Sequence, residues 1–335
     1  MFNFSLTSVE LNITDYCTHH CPYCYVSRDE NSPPNHAQLN TLFKVIDEIA
    51  KTEVNVIALL GGDPAKHPQI VEILDYIKSK QKPKTALISN TLAIKNCSLE
   101  KLSQVVDSID VTIHGRYANE HDVVCQSRGV YDSITRKMQL LSELGVEVNI
   151  VINIIPDTYN KIFEIAKGVI DQGVKLKYLL TQRIVPFGRA ENSKEFNITK
   201  NQLDIAFEQI IDVEEKLGLS ILVEDPYPLC CISEKYWKYM RGCPEGRVRM
   251  PIDGNGNVSR CGAVNDYSMG NILVTPLKTI WENSIEFNSF RENKHLINND
   301  KCCNCILLEK CGGGCPVSCE IYNKLGIDFI KEFGE

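Results

Sequence analysis

The sequence predicts an α/β protein: six parallel strand–helix units form an open, curved barrel over residues 1–225, and a small cysteine-rich domain follows over 226–335. Three observations predict it. Strand-like and helix-like segments alternate from about residue 9 to 224, the rhythm stops after Leu222-Val223-Glu224-Asp225-Pro226, and ten of the fifteen cysteines lie beyond that point. Repeated strand–helix units imply parallel strands joined by right-handed crossovers. Six units are too few for a closed barrel of eight, and a plain doubly wound sheet is the alternative arrangement.

The strands are read from apolar runs at residues 9–13, 54–60, 85–89, 109–113, 146–155 and 174–180. Between them lie helical stripes: Leu42, Val45, Ile46 and Ile49; Ile70, Ile73, Leu74 and Ile77; Val130, Ile134, Met138 and Leu141; Ile162, Ile165 and Val169. Intervals of three and four place these groups on one face, suited to covering a sheet. Past residue 225, segments 247–252 and 257–260 flank Asp253-Gly254-Asn255-Gly256 and read as a β-hairpin, because Asp-Gly and Asn-Gly favour tight turns. Residues 276–290 read as one amphipathic helix using Leu277, Ile280, Trp281 and Phe287.

Composition narrows the class. With 36 basic against 43 acidic residues, the net charge of −7 argues against broad nucleic-acid or anionic-membrane binding. No apolar run is long enough to span a bilayer, and the first residues lack the basic start and apolar stretch of a secretory signal, so a cytoplasmic protein is expected. Many cysteines in that compartment point to metal rather than disulfides.

The most informative motif is Cys17-Thr18-His19-His20-Cys21-Pro22-Tyr23-Cys24. A Cys-x3-Cys-x2-Cys loop can hold three irons of a [4Fe–4S] cube and leaves the fourth open to another ligand. Here the chain resembles the radical S-adenosylmethionine (SAM) enzymes, over roughly its first two thirds. The resemblance implies a partial (β/α)6 TIM barrel, with SAM on the open iron and its reductive cleavage to a 5'-deoxyadenosyl radical. It also implies site residues. Tyr23 matches an aromatic position near the adenine. Gly61-Gly62-Asp63-Pro64 matches a Gly-Gly-Glu-Pro element, in which glycines admit close backbone approach and the acid pairs with the ammonium of SAM. Ser89 and Asn90 end the third strand, and Thr112 ends the fourth as a candidate for the SAM carboxylate or ribose. Arg128 is a candidate carboxylate partner, and Asn153 a candidate for ribose or adenine. Structural hydrogen bonding is the competing role for each. His19 and His20 are read as packing or solvated residues, and Gly188-Arg189-Ala190 resembles a stretch that shapes the substrate entrance.

The second motif is Cys302-x2-Cys305-x5-Cys311-x3-Cys315-x3-Cys319, preceded by Cys243-x12-Gly256-x4-Cys261. It resembles the SPASM extension, which carries two auxiliary [4Fe–4S] clusters in many radical SAM maturases. By that resemblance Cys302, Cys305, Cys311 and Cys319 hold an outer cluster, and Cys243, Cys261 and Cys315 an inner one. Cys230 or Cys231 is the expected fourth inner ligand. A structural zinc ribbon is the competing metal reading of the tail. Cys97, Cys125 and Cys303 remain, and Cys125 alone lies in a loop expected at the barrel mouth, where the resemblance to radical SAM peptide epimerases makes it a candidate hydrogen-atom donor.

These resemblances imply a SPASM-type radical SAM enzyme modifying a ribosomally made peptide, with a flavodoxin- or ferredoxin-like electron donor. The first strand begins almost at once, which assigns leader recognition to a partner or to the catalytic domain. The alternatives are a small-molecule substrate (sugar, nucleoside or tetrapyrrole), anaerobic sulfatase-type protein maturation, or a non-enzymatic metal scaffold.

Overall fold

The computed structural model describes residues 4–26, 28, 31–95, 98–191, 195–264, 268–296 and 302–318. Cys319 and Cys97 lie outside them. The chain runs β1 (Ser8–Asn12), α1 (Leu39–Ala50), β2 (Val56–Leu60), α2 (Ile70–Ser79), β3 (Lys84–Ile88), α3 (Leu99–Ser103), β4 (Ser108–Thr112), α4 (Ala118–Val124) and α5 (Tyr131–Glu143). It continues through β5 (Glu147–Asn153), α6 (Ile162–Asp171), β6 (Leu176–Gln182), α7 (Lys200–Leu217), β7 (Ser220–Val223), β8 (Arg249–Asp253), α8 (Leu277–Asn283), α9 (Ile285–Arg291) and α10 (Leu308–Cys311).

All eight strands form one parallel sheet in the order β7-β6-β5-β4-β3-β2-β1-β8, an open half-barrel. The six expected strands are β1–β6; the two edges were not anticipated as barrel strands. β8 is the first arm of the expected hairpin. The turn after it forms, with Asp253 N–H donating to Asn257 O at 2.9 Å, and Ile252 and Val258 make an antiparallel bridge. Its long partner, however, is β1, in parallel register Ser8 to Arg249 through Asn12 to Asp253. Pro251 suits such an edge, where a missing N–H breaks no interior ladder.

Side chains alternate as a curved sheet requires. Val9, Leu11, Ile57, Leu59, Ile109 and Val111 are fully buried beneath the helices, whereas Ser8, Glu10, Ala58, Asp110 and Thr112 face the lumen. On the outer side α1 buries Leu42, Val45, Ile46 and Ile49, each contributing about 1.5–3 kcal/mol by leaving water. α7 begins at a capping box between Thr199 and Gln202 and stops at Gly218, whose φ of 70° is left-handed.

The single helix expected at 276–290 is two. Ser284 takes an extended conformation between α8 and α9, and its hydroxyl accepts from the Phe287 N–H. A serine that can cap the next turn competes with helix continuation. Among the described residues, no helix is long and apolar enough to cross a membrane.

Candidate active site

One cavity of about 950 Å³ fills the lumen. Cys17, Cys21 and Cys24 line one region of its wall, and Cys243, Cys261 and Cys315 another. Two cysteine sets distant in sequence therefore open on one space at the barrel.

The triad loop follows β1 and is braced from three sides. Gly62 N–H donates to Thr14 O (2.8 Å) and Asp63 N–H to Tyr16 O (2.7 Å). A Cβ on Gly61 would lie 2.1 Å from Thr14 O, and one on Gly62 would lie 2.4 Å from the Tyr16 carbonyl carbon. The glycines thus let β2 close on the loop's own backbone, an approach within the protein as well as toward the cavity. Arg189 N–H donates to Cys24 O at 2.9 Å, so the Gly188–Ala190 turn props the loop's end. Asn90 Nδ2 reaches Cys17 Sγ at 3.6 Å and Thr18 Oγ1 at 3.3 Å.

Burial pushes the Cys17 thiol up to about 11 and Cys21 up to about 12. Sheltered thiols of this kind become thiolates when a bound metal displaces their protons into solvent. Among the described residues the one group of three metal-ligating side chains with donor atoms all within 4.8 Å is His19, His121 and Cys125. The triad is not such a group: its three sulfurs do not all lie within 4.8 Å of one another.

The trio of His19, His121 and Cys125 does not suit an ion. Nδ1 of His121 accepts from the His114 N–H at 3.2 Å, which places its own proton on Nε2 and leaves no lone pair there. Burial lowers both His19 and His121 to about 4, so both stay neutral. His19 Nδ1 meets Ser127 Oγ at 2.8 Å, and His20 N–H meets Cys125 O at 3.3 Å, locking α4 onto the triad loop. His114 and His121 were not picked out from sequence; His114 directly after the fourth strand, and a second histidine seven residues on, were the available signal.

The other expected residues divide. Tyr23 hydrogen-bonds His114 Nε2 and is also hydrogen-bonded by Asn153, so the two ends of β4 and β5 hold the aromatic ring in place. Thr112, Asn153, Ser89 and Asn90 line the cavity. Asp63 does not: Oδ1 accepts from Ser89 Oγ (2.6 Å) and Ala65 N–H (3.2 Å), while the buried Oδ2 has no partner. Burial raises its carboxyl to about 6. Arg128 is exposed and off the cavity wall. Cys125 is 1% exposed, lines the cavity, and is pushed up to about 11 by burial, so it remains a thiol at neutral pH.

In the tail, Cys315 is buried and Cys243 and Cys261 are half-buried, and loss of solvent raises all three thiols. Each ionised sulfur would repel another, a donor set that calls for a cation. Cys302 is buried and Cys305 exposed; Cys305 N–H donates to Cys302 O at 3.0 Å, and Cys311 ends α10. Cys311 Sγ accepts from Leu229 N–H at 3.3 Å, which brings the Leu229–Cys231 turn to its side.

Two family models match the chain, the first spanning the amino-terminal triad and the second reaching from Cys243 to just past Cys305. A family model described as the radical SAM superfamily matches residues 11–168, and one described as an iron–sulfur cluster-binding domain, SPASM, matches residues 243–306. The chain is 23% identical to an AdoMet-dependent heme synthase of Methanosarcina barkeri, over 90% of this chain and 88% of that one. It is 25% identical to a PqqA peptide cyclase of Rhizobium meliloti, over 90% and 80% respectively. Streptococcus suis SuiB, solved bound to precursor peptide SuiA, superposes with a TM-score of 0.75 at 19% identity, covering 99% of this chain and 76% of that one. The iron–sulfur description of the tail's family model weighs against a zinc ribbon. SAM and a [4Fe–4S] cluster are cofactors of this chain, and its SPASM domain binds auxiliary iron–sulfur clusters. The protein is a radical SAM enzyme of the SPASM subfamily.

Proposed function

We propose that this enzyme abstracts hydrogen from a ribosomally made peptide, leading to a cross-link or an epimerised residue. When bound, the triad cluster and SAM supply a 5'-deoxyadenosyl radical by reductive cleavage, the hard chemistry that the protein need only orient and shelter. Cys17, Cys21 and Cys24 are the residues that hold the cluster, and Tyr23, fixed by His114 and Asn153, presents a ring edge for the adenine. Asn90 steadies Cys17, and Thr112 offers a hydroxyl on the cavity wall. Asp63 bears on SAM through Ser89, which it holds on that wall. Cys125, protonated and facing the lumen, is placed to return a hydrogen atom. In the tail, Cys302, Cys305 and Cys311 with Cys319 hold the outer cluster, and the functional division falls near residue 225. A flavodoxin- or ferredoxin-like protein delivers the electron.

The single observation that carries this reading is the shared cavity, whose wall includes the triad and the inner tail cysteines. A substrate between them meets both centres. The peptide class is favoured by the PqqA peptide cyclase among the relatives and by SuiB, which binds a precursor peptide. A tetrapyrrole is the second reading, favoured by the heme synthases. The test is anaerobic reconstitution with SAM and reductant, first for 5'-deoxyadenosine, then with candidate peptides and tetrapyrroles and mass analysis. Product from a tetrapyrrole and none from any peptide would exchange the two readings; intact SAM under strong reduction would remove both.

A further inference from the structure

Three cysteines at the inner site leave one corner of a cube unassigned. The upstream cysteines are poorly placed for that corner. Leu229–Cys231 is a single turn whose first N–H donates to Cys311 Sγ, and the Cys231 thiol responds to Cys230 and Cys311. Neither Cys230 nor Cys231 lines the cavity.

Glu245 does line it, two residues after Cys243. Its amide N–H donates to the Cys243 sulfur, and its charge bears on both Cys243 and Cys261. The side chain is 3% exposed. Oε1 is held by Arg249 Nε at 2.8 Å, while Oε2 is buried with no hydrogen-bond partner. A buried carboxyl oxygen left unpaired is costly unless a proton or a cation completes it. Among the described residues, the guanidinium that meets Glu245 is that of Arg249. Arg249 is shared among Glu245, Glu10 and Glu224, three carboxylates on one guanidinium. Gly262, beside Cys261, sits so close to Glu10 that a Cβ there would lie 2.2 Å from Glu10 Oε2. The inner site is therefore bounded by carboxylate on two sides, and the free oxygen of one belongs to the residue braced against Cys243.

With Cys243, Cys261 and Cys315 read as auxiliary-cluster ligands, as proposed above, we infer that Glu245 Oε2 is the fourth protein ligand of the inner cluster, oriented by Arg249 through Oε1. A carboxylate at one iron differs from thiolate in donor strength, and ligand identity is one of the levers on cluster potential. Asp225 is the competing carboxylate, since its charge bears on Cys315.

The test uses the full chain with Cys17, Cys21 and Cys24 changed to Ala, so that only auxiliary iron remains, reconstituted anaerobically with iron and sulfide. Mössbauer and EPR spectra report ligation without any turnover. The background protein is expected to show one iron with an oxygen ligand. Glu245→Gln should abolish that signature and yield a three-iron cluster on mild oxidation. Glu245→Asp, which keeps the charge but shortens the reach, should do the same, and Glu245→Cys should restore a four-iron cluster with uniform thiolate ligation. Unchanged spectra and iron content in Glu245→Gln would overturn the assignment. So would loss of the same iron in Cys230→Ala, Cys231→Ala or Asp225→Asn while the Glu245 variants stay silent. A background protein holding no iron–sulfur cluster at all would instead remove the auxiliary-site reading, and this assignment with it; iron content before any change at Glu245 separates the two failures.

Discussion

Arg249, on β8, pairs with Glu224, the residue that follows β7, so one ion pair joins the two free edges of the eight-stranded sheet. The same guanidinium meets Glu10 on β1 at 3.1 Å and Glu245 at 2.8 Å. All of these groups are largely shielded, and Arg249 is held well above its usual range by the surrounding carboxylates despite its burial. β7 and β8 make no strand pairing with each other, and a forked side chain spans the seam between them.

Removing that fork leaves three sheltered carboxylates facing one another. Arg249→Met is therefore expected to destabilise the apo protein by about 3–5 kcal/mol, the cost of breaking a buried pair from one side. Urea unfolding measures it. A loss below that of ordinary surface substitutions would show that the seam is held by something else.

Asp63 gives a pH signature. Burial raises its carboxyl from 3.8 to about 6, so the folded chain takes this proton more readily than the unfolded one. The stabilisation from protonation is complete below 3.8 and lost as pH rises through about 6. The stability difference between the native chain and Asp63→Asn should thus change by on the order of 3 kcal/mol across that window, native gaining as pH falls. A flat difference would mean that Oδ2 finds a partner in solution.

Gly62→Ala tests how the triad loop is seated. Its Cβ would lie 2.4 Å from the Tyr16 carbonyl carbon, and the obstacle is backbone, which cannot swing aside. SAM cleavage, followed as 5'-deoxyadenosine, should fall by about tenfold or more, a factor equivalent to ~1.4 kcal/mol. A wild-type rate would show that the loop tolerates displacement.

Cys125→Ala separates radical generation from radical quenching. SAM cleavage should persist, because the thiol is no part of the triad, while the yield of hydrogen-returned product falls and solvent deuterium no longer enters it. Full yield with the label retained would retire Cys125 as a donor. Cys21→Ala, by contrast, should remove cleavage itself.

The six inner strands and the helices α1, α2, α5 and α6 that cover them were legible in the chain because each is written in short intervals. Alternate residues separate lumen from core, as with Glu10 between Val9 and Leu11, and three- and four-residue steps build the buried stripe of α1. Cluster loops are equally local. What the chain by itself did not reveal depends on which distant segments meet. β8 looked like half of a hairpin until β1 offered a free edge, and Ser284 broke a continuous apolar stripe by capping the turn ahead. Tertiary structure alone tied Ser89 to Asp63, set Tyr23 between His114 and Asn153, and brought the Leu229–Cys231 turn to Cys311. The reason is physical: spacing determines which face a side chain occupies, but only crossover packing and strand register determine what stands opposite that face.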